Sequence, residues 1–120
     1  MEVVERPWGK FEVLYENGTL DNNFKIKKIT VNPDQQLSVQ RHAHRDEVWT
    51  ITAGVGKVLI KDKWEILVPG MVLKIPSNTI HSVKAGPRHT LVFVEVQLGD
   101  YLEEDDIERI SDIYGRADEN

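Results

Sequence analysis

The sequence predicts an all-β domain, a barrel or a sandwich, finished by one short C-terminal helix. Three observations carry this. Short runs rich in Val, Ile, Thr and aromatic residues recur along residues 1–99, as strands require. Turn pairs separate them at short intervals, among them Asn17-Gly18, Asn32-Pro33, Pro69-Gly70 and Gly86-Pro87. Only in the tail does the apolar spacing become helical, with Ile107, Ile110, Ile113 and Tyr114 at i, i+3, i+6 and i+7.

Taken in order, Arg6-Pro7-Trp8-Gly9 is a turn-like entry, because Pro fixes one torsion and Gly frees another. Residues 10–15 alternate as a strand and break at Asn17-Gly18. Residues 24–31 form a second strand with a flaw in its alternation: Phe24 and Ile26 share one face, Ile29 and Val31 the other. A bulge or burial on both faces accounts for that. Lys27 falls on the face of Ile29 and Val31, where a cation implies a polar cavity. Residues 37–42 alternate polar Ser38, Gln40 and His42 against Leu37, Val39 and Arg41, the pattern of a cavity wall. Strands follow at 47–52, 57–61, 64–68, 71–75, 80–83 and 90–96. The helix is expected over about 102–114, with acids favouring its first turn and Gly115 suiting its stop.

One domain with one core fits 120 residues, with the barrel over about 6–98. The absence of cysteine excludes disulfide scaffolds and thiolate metal sites, so any metal is held by nitrogen and oxygen. The net charge of −5 is uneven: residues 100–120 sum to −7 and residues 1–99 to +2. No basic face suggests nucleic acid. No apolar run approaches the ~18 residues of a membrane span. The first residues lack the basic and apolar regions of a secretory signal, which leaves the cytoplasm as the expected location.

Chemistry concentrates between Gln40 and Gly54. Gln40, His42 and His44 alternate, Glu47 follows after a polar break, and His81 lies beyond a Gly-Pro turn. Imidazole and carboxylate together suit a divalent metal with open positions. The arrangement Gln40-x-His42-x4-Glu47-x6-Gly54, then Gly70-x5-Pro76-x-Asn78-x2-His81, closely resembles the two cupin motifs. It departs from them in having Gln at the first ligand position, Asn78 in place of Gly and Ala85 in place of Asn. Asn tolerates the left-handed torsions of that turn.

Arg6-Pro7-Trp8-Gly9, Gly99-Asp100-Tyr101-Leu102 and Asp112-Ile113-Tyr114-Gly115-Arg116 narrow the resemblance to type II mannose-6-phosphate isomerases. That module is best known as the C-terminal half of bifunctional mannose-1-phosphate guanylyltransferases; the likeness runs from about Arg6 to Arg116, and the chain reads as the module standing alone.

The resemblance implies a double-stranded β-helix, the cupin jelly roll; an edge strand of such a barrel can pair with its twin, so a homodimer is expected. The resemblance also implies one divalent ion (Zn, Mn, Fe, Co or Ni) on Gln40, His42, Glu47 and His81, with His44 the substitute if Gln40 does not bind. It further implies interconversion of mannose 6-phosphate and fructose 6-phosphate through an enediolate. His44 is the expected proton carrier, with Glu47 in reserve. Arg45, in the signature itself, is expected to contact substrate, and Arg45, Arg116, Arg6 and Lys27 compete to hold the phosphate. Two rival readings share the fold: an iron-dependent dioxygenase on the same ligands, and a non-catalytic module that binds sugar phosphate or metal.

Overall fold

The computed structural model describes residues 2–16 and 23–114. Asn17-Gly18, Gly115 and Arg116 therefore lie outside the described residues. The strands are β1 (Glu2–Arg6), β2 (Gly9–Glu16), β3 (Phe24–Val31), β4 (Val39–Arg41), β5 (Arg45–Ala53) and β6 (Gly56–Ile60). They continue as β7 (Lys63–Leu67), β8 (Val72–Ile75), β9 (His81–Ala85), β10 (Leu91–Gly99) and β11 (Glu108–Ser111). They pair antiparallel into two facing sheets, ordered β1-β2-β3-β10-β5-β8 and β11-β4-β9-β6-β7. The all-β class read from the sequence is the class observed.

Alternation along each strand decides what points between the sheets. On β10 the inward residues run Leu91, Phe93, Glu95, Gln97, and on β5 Ile51, Trp49, Glu47, Arg45. On β3 they run Val31, Ile29, Lys27, Lys25, and on β9 Ala85, Val83, His81. Each series is apolar at one end and polar at the other. Register brings the changes to one level, since Phe93 pairs with both Ile29 and Ile51, Glu95 with Lys27 and Trp49, and Gln97 with Lys25 and Glu47. The interior is thus a dry core at one end, where Trp49 stacks on Phe93 at 4.3 Å between centroids, and a polar cavity at the other. The flaw in residues 24–31 is answered in part by the neighbouring strand: β2 carries an irregularity between Val13 and Tyr15 against β3.

Two turns hold the site strands in place. Asn78 has φ 62°, so it does adopt the left-handed torsion that its place in the motif asks for. Gly54, after β5, has φ 83°, and a Cβ there would lie 2.2 Å from the carbonyl oxygen of Thr90. Gly54→Ala is expected to cost more than the ~1–2 kcal/mol of the left-handed backbone alone. A thermal midpoint lowered by at least about 5 °C would register it; an unchanged midpoint would contradict this packing.

Two expectations are corrected. The entry at 5–9 is not only a turn, because Glu2–Arg6 forms β1, an edge strand paired with β2. The C-terminal helix is absent among the described residues. Residues 102–107 run as an irregular cover and β11 pairs with β4. The reason is tertiary. Asp106 caps two backbone amides of the barrel, Ile107 and Arg109 line the cavity, and the Tyr114 hydroxyl bonds Gln35. Ile is β-branched and serves a strand better than a helix. The isoleucine stripe does not pack as a unit, since Ile110 and Ile113 are exposed.

Candidate metal centre and anion cavity

His42 follows β4, Glu47 lies on β5, and His81 opens β9 directly across from Gln40 of β4. All four are buried. One ligand atom from each of His42, Glu47 and His81 lies within 4.8 Å of the others. Both imidazoles are oriented from behind. His42 Nδ1–H donates to the carbonyl of Asp106 at 2.7 Å, and His81 Nδ1–H to the carbonyl of Thr79 at 2.9 Å. A carbonyl can only accept, so each Nε2 turns a lone pair toward Glu47. His42 Nε2 stands 3.2 Å from Glu47 Oε2 and His81 Nε2 4.0 Å from Glu47 Oε1. The Nε2 of His81 is buried with no hydrogen-bond partner among the described residues. Two converging lone pairs, a carboxylate and an orphaned buried nitrogen fit a divalent cation of nitrogen and oxygen preference.

The electrostatics agree. Burial pushes His42 down to about 4, against the pull of Glu47, so its ring is neutral and able to ligate. Burial works to raise Glu47, but the Arg45 guanidinium, then His42 and His81, hold its carboxyl well below the usual range. Trp49 Nε1 donates to its Oε1 at 2.9 Å and Arg45 Nε to its Oε2 at 2.9 Å. Gln40 lines the same cavity, its Oε1 accepting from Ser38 at 3.1 Å.

Arg45 is buried and turned inward, sharing β5's interior face with Glu47 and Trp49. Its Nη2 lies 3.2 Å from His42 Nε2, while its Nη1 is buried without a partner among the described residues. Lys27 is buried as well, beneath the Phe11 ring at 4.0 Å, and pairs with Glu104 of the covering segment. Arg6 reaches the rim, 5.2 Å from the same ring.

His44 is not where alternation placed it. β4 ends at Arg41, and the amides of Ala43 and His44 donate to the Asp106 carboxylate at 2.9 Å each. That grip breaks the strand and turns His44 outward, exposed beside Tyr101 and 3.7 Å from Asp100. It shares no face with His42.

The interior holds two groups that sequence reasoning missed. Glu95 and Gln97 project from β10 into the polar end, with Gln97 Nε2 donating to Glu95 Oε2 at 2.7 Å. Burial, and then Glu47, push the Glu95 carboxyl up to about 8, against Lys27 and Arg45. Their signal was available, since they continue the face of Leu91 and Phe93. Asp106 is the third omission, an acid in an acidic tail that reads as solvated. Asp106→Ala frees the backbone at 43–44, whose amides set the loop carrying His42. It is expected to lower metal affinity by about 10–100-fold, measured by competition with a chelating dye; affinity within twofold of the parent would refute the role.

Residues 1–112 match the family model described as the mannose-6-phosphate isomerase C-terminal domain. The chain belongs to this family. Two relatives are the alginate biosynthesis protein AlgA of Pseudomonas aeruginosa, 40% identical over 116 residues, and the mannose-1-phosphate guanylyltransferase of Escherichia coli K12, 40% identical over 114. The matches cover 97% and 95% of this chain but 23% of each relative, so the isomerase-family domain spans about a quarter of their length. Among solved structures, a cupin-like protein from Thermotoga maritima superposes with a TM-score of 0.74 at 22% identity, covering 90% of this chain and 80% of that one. A point mutant of the Bacillus subtilis oxalate decarboxylase OxdC gives 0.79 at 16% identity, over 91% and 30%. These likenesses show the fold, the double-stranded β-helix of cupins, as expected from the motifs.

Proposed function

We propose that this domain is a metal-dependent aldose–ketose isomerase that interconverts mannose 6-phosphate and fructose 6-phosphate. The observation that carries the reading is a converging cluster of His42, Glu47 and His81 beside a cavity that His42 and Glu47 line together with two buried cations, Lys27 and Arg45. Family membership supports the same substrate class. A divalent cation held by His42, Glu47 and His81, with Gln40 beside them, would polarise the sugar carbonyl and its neighbouring hydroxyl.

The rest falls to side chains. The reaction moves one proton between C2 and C1 and one between the two oxygens, with no net change of redox state. The carbon-bound proton needs a carboxylate inside the cavity. Glu47 is turned to the imidazoles and Arg45, and Glu104 to Lys27, which leaves Glu95. Its carboxyl is held protonated up to about pH 8, so its ionised form accepts the proton at one carbon and returns it at the other, and turnover is expected to rise with pH through that range. Gln97 orients Glu95 through its amide. Lys27 and Arg45 hold the phosphate, the guanidinium offering its unpartnered Nη1. Arg6 lies at the rim.

The test is one assay series. Metal-stripped protein receives single divalent metals, and formation of fructose 6-phosphate is followed by a coupled enzyme. Restoration by metal supports the reading. Oxygen consumption with iron in place of isomerisation would point to a dioxygenase, and sugar-phosphate binding without turnover to a binding module.

A further inference from the structure

The cavity is small. Its volume is about 80 Å³, whereas small-molecule sites run to roughly 300–1,000 Å³. Glu104 and Ile107, from the irregular segment 102–107, form part of its wall. That segment is held to the barrel by two lysines of one strand face. Lys25 Nζ donates to the Leu102 carbonyl at 2.8 Å, and Lys27 pairs with Glu104. The Lys27 side chain is only 3% exposed, while Glu104 is 45% exposed. A buried ammonium thus takes its counter-charge from a carboxylate that arrives from solvent.

We propose that Glu104 is the resident anion of a phosphate subsite built by Lys27 and Arg45, and that a ligand enters only by displacing it. The inference rests on the sugar-phosphate reading of the cavity and goes beyond it in naming the residue that sets the entry threshold. Buried cations need an anion nearby, and in the free protein Glu104 supplies it. Arg45 keeps a second opening for one, because its Nη1 is buried with no acceptor among the described residues. Lys27, Arg45 and Lys25 all act on Glu104, outweighing its burial to hold the carboxyl below its usual range.

Displacement costs every ligand the same. A neutral sugar offers no charge in exchange, and a single carboxylate replaces like with like. A phosphate monoester brings about −1.5 to −2 charges and three acceptor oxygens, enough for both Lys27 and Arg45. Glu104 therefore admits dianions and turns away weaker ligands, and its departure opens the cavity at the same moment.

Isothermal titration calorimetry on the full chain tests this, with inorganic phosphate and acetate as probes. Each is titrated into the parent, Glu104→Gln and Lys27→Gln/Glu104→Gln, both chelator-treated and manganese-loaded. Thermal unfolding confirms that each variant is folded. The parent is expected to bind phosphate and not acetate. Glu104→Gln is expected to bind phosphate about tenfold tighter or more, the scale of one lost charge-assisted hydrogen bond, and to bind acetate measurably. The double variant loses that gain. Phosphate affinity unchanged or weakened by Glu104→Gln, a gain that survives in the double variant, or phosphate binding that needs manganese and ignores Glu104 would each overturn the proposal. Tightening without any turnover would leave the proposal standing and sink the isomerase reading. Turnover with unaltered phosphate affinity would do the reverse.

Discussion

Replacing His42 or His81 with alanine is expected to abolish divalent-metal binding and, with it, the proposed isomerisation. Loss of an outer partner of a metal ligand costs about 10–100-fold in affinity, and loss of the ligand itself is expected to exceed that. The structure says why neither position can be covered by a neighbour. Each imidazole is fixed by a backbone carbonyl behind it, and the other two histidines, His44 and His89, are exposed. Binding is read without turnover, from the rise in thermal midpoint as metal is added. A ligand that binds only the folded state stabilises it by RT ln(1 + [L]/Kd), about 2.7 kcal/mol at a hundredfold excess over Kd. The parent should show such a rise and the two variants none. A rise of parental size in either variant would remove that residue from the centre.

Glu95→Gln is expected to lower kcat by about 10²–10⁴-fold, the range for losing a positioned acid–base group. The substitution keeps the side chain's shape, and its amide oxygen can still accept from Gln97. Folding, metal binding and phosphate binding should therefore persist, and the loss should appear in kcat and kcat/KM alike. Turnover within a few fold of the parent would exclude Glu95 and return the proton transfer to Glu47. The contrast with the histidine variants is diagnostic, because they lose the metal and Glu95→Gln keeps it.

How far the site was legible follows from the kind of order each part uses. The His42, Glu47 and His81 cluster is written in spacing: strand period, a turn at Gly54 and a turn at Asn78 bring the three together, and each cue is local. Lys27 was legible for the same reason, as a cation among apolar residues on an inward face. Glu95 and Gln97 used that same alternation, yet an acid in a valine-rich strand also suits a solvent face, and one strand does not say which side is inside. Arg45 is reached by counting back from Glu47 on β5, but only the fold shows that the strand starts early enough to bring it in.

The tail was misread because helical spacing and an alternating strand can share their isoleucines. Local propensity there is weak, and Asp106 gripping the amides of Ala43 and His44 decides the outcome from across the barrel. The same grip moved His44 out of the site.

By itself the sequence determined the all-β class, the cupin resemblance and the gathering of His42, Glu47 and His81 into a cluster that could hold a metal, since period-two patterning and turn residues act within a few positions. Only the tertiary structure decided which polar residues face one another, where His44 points and what closes the cavity. Those depend on contacts between β3, β5, β10 and the 102–107 segment, residues far apart in the chain, and no local preference encodes such pairings.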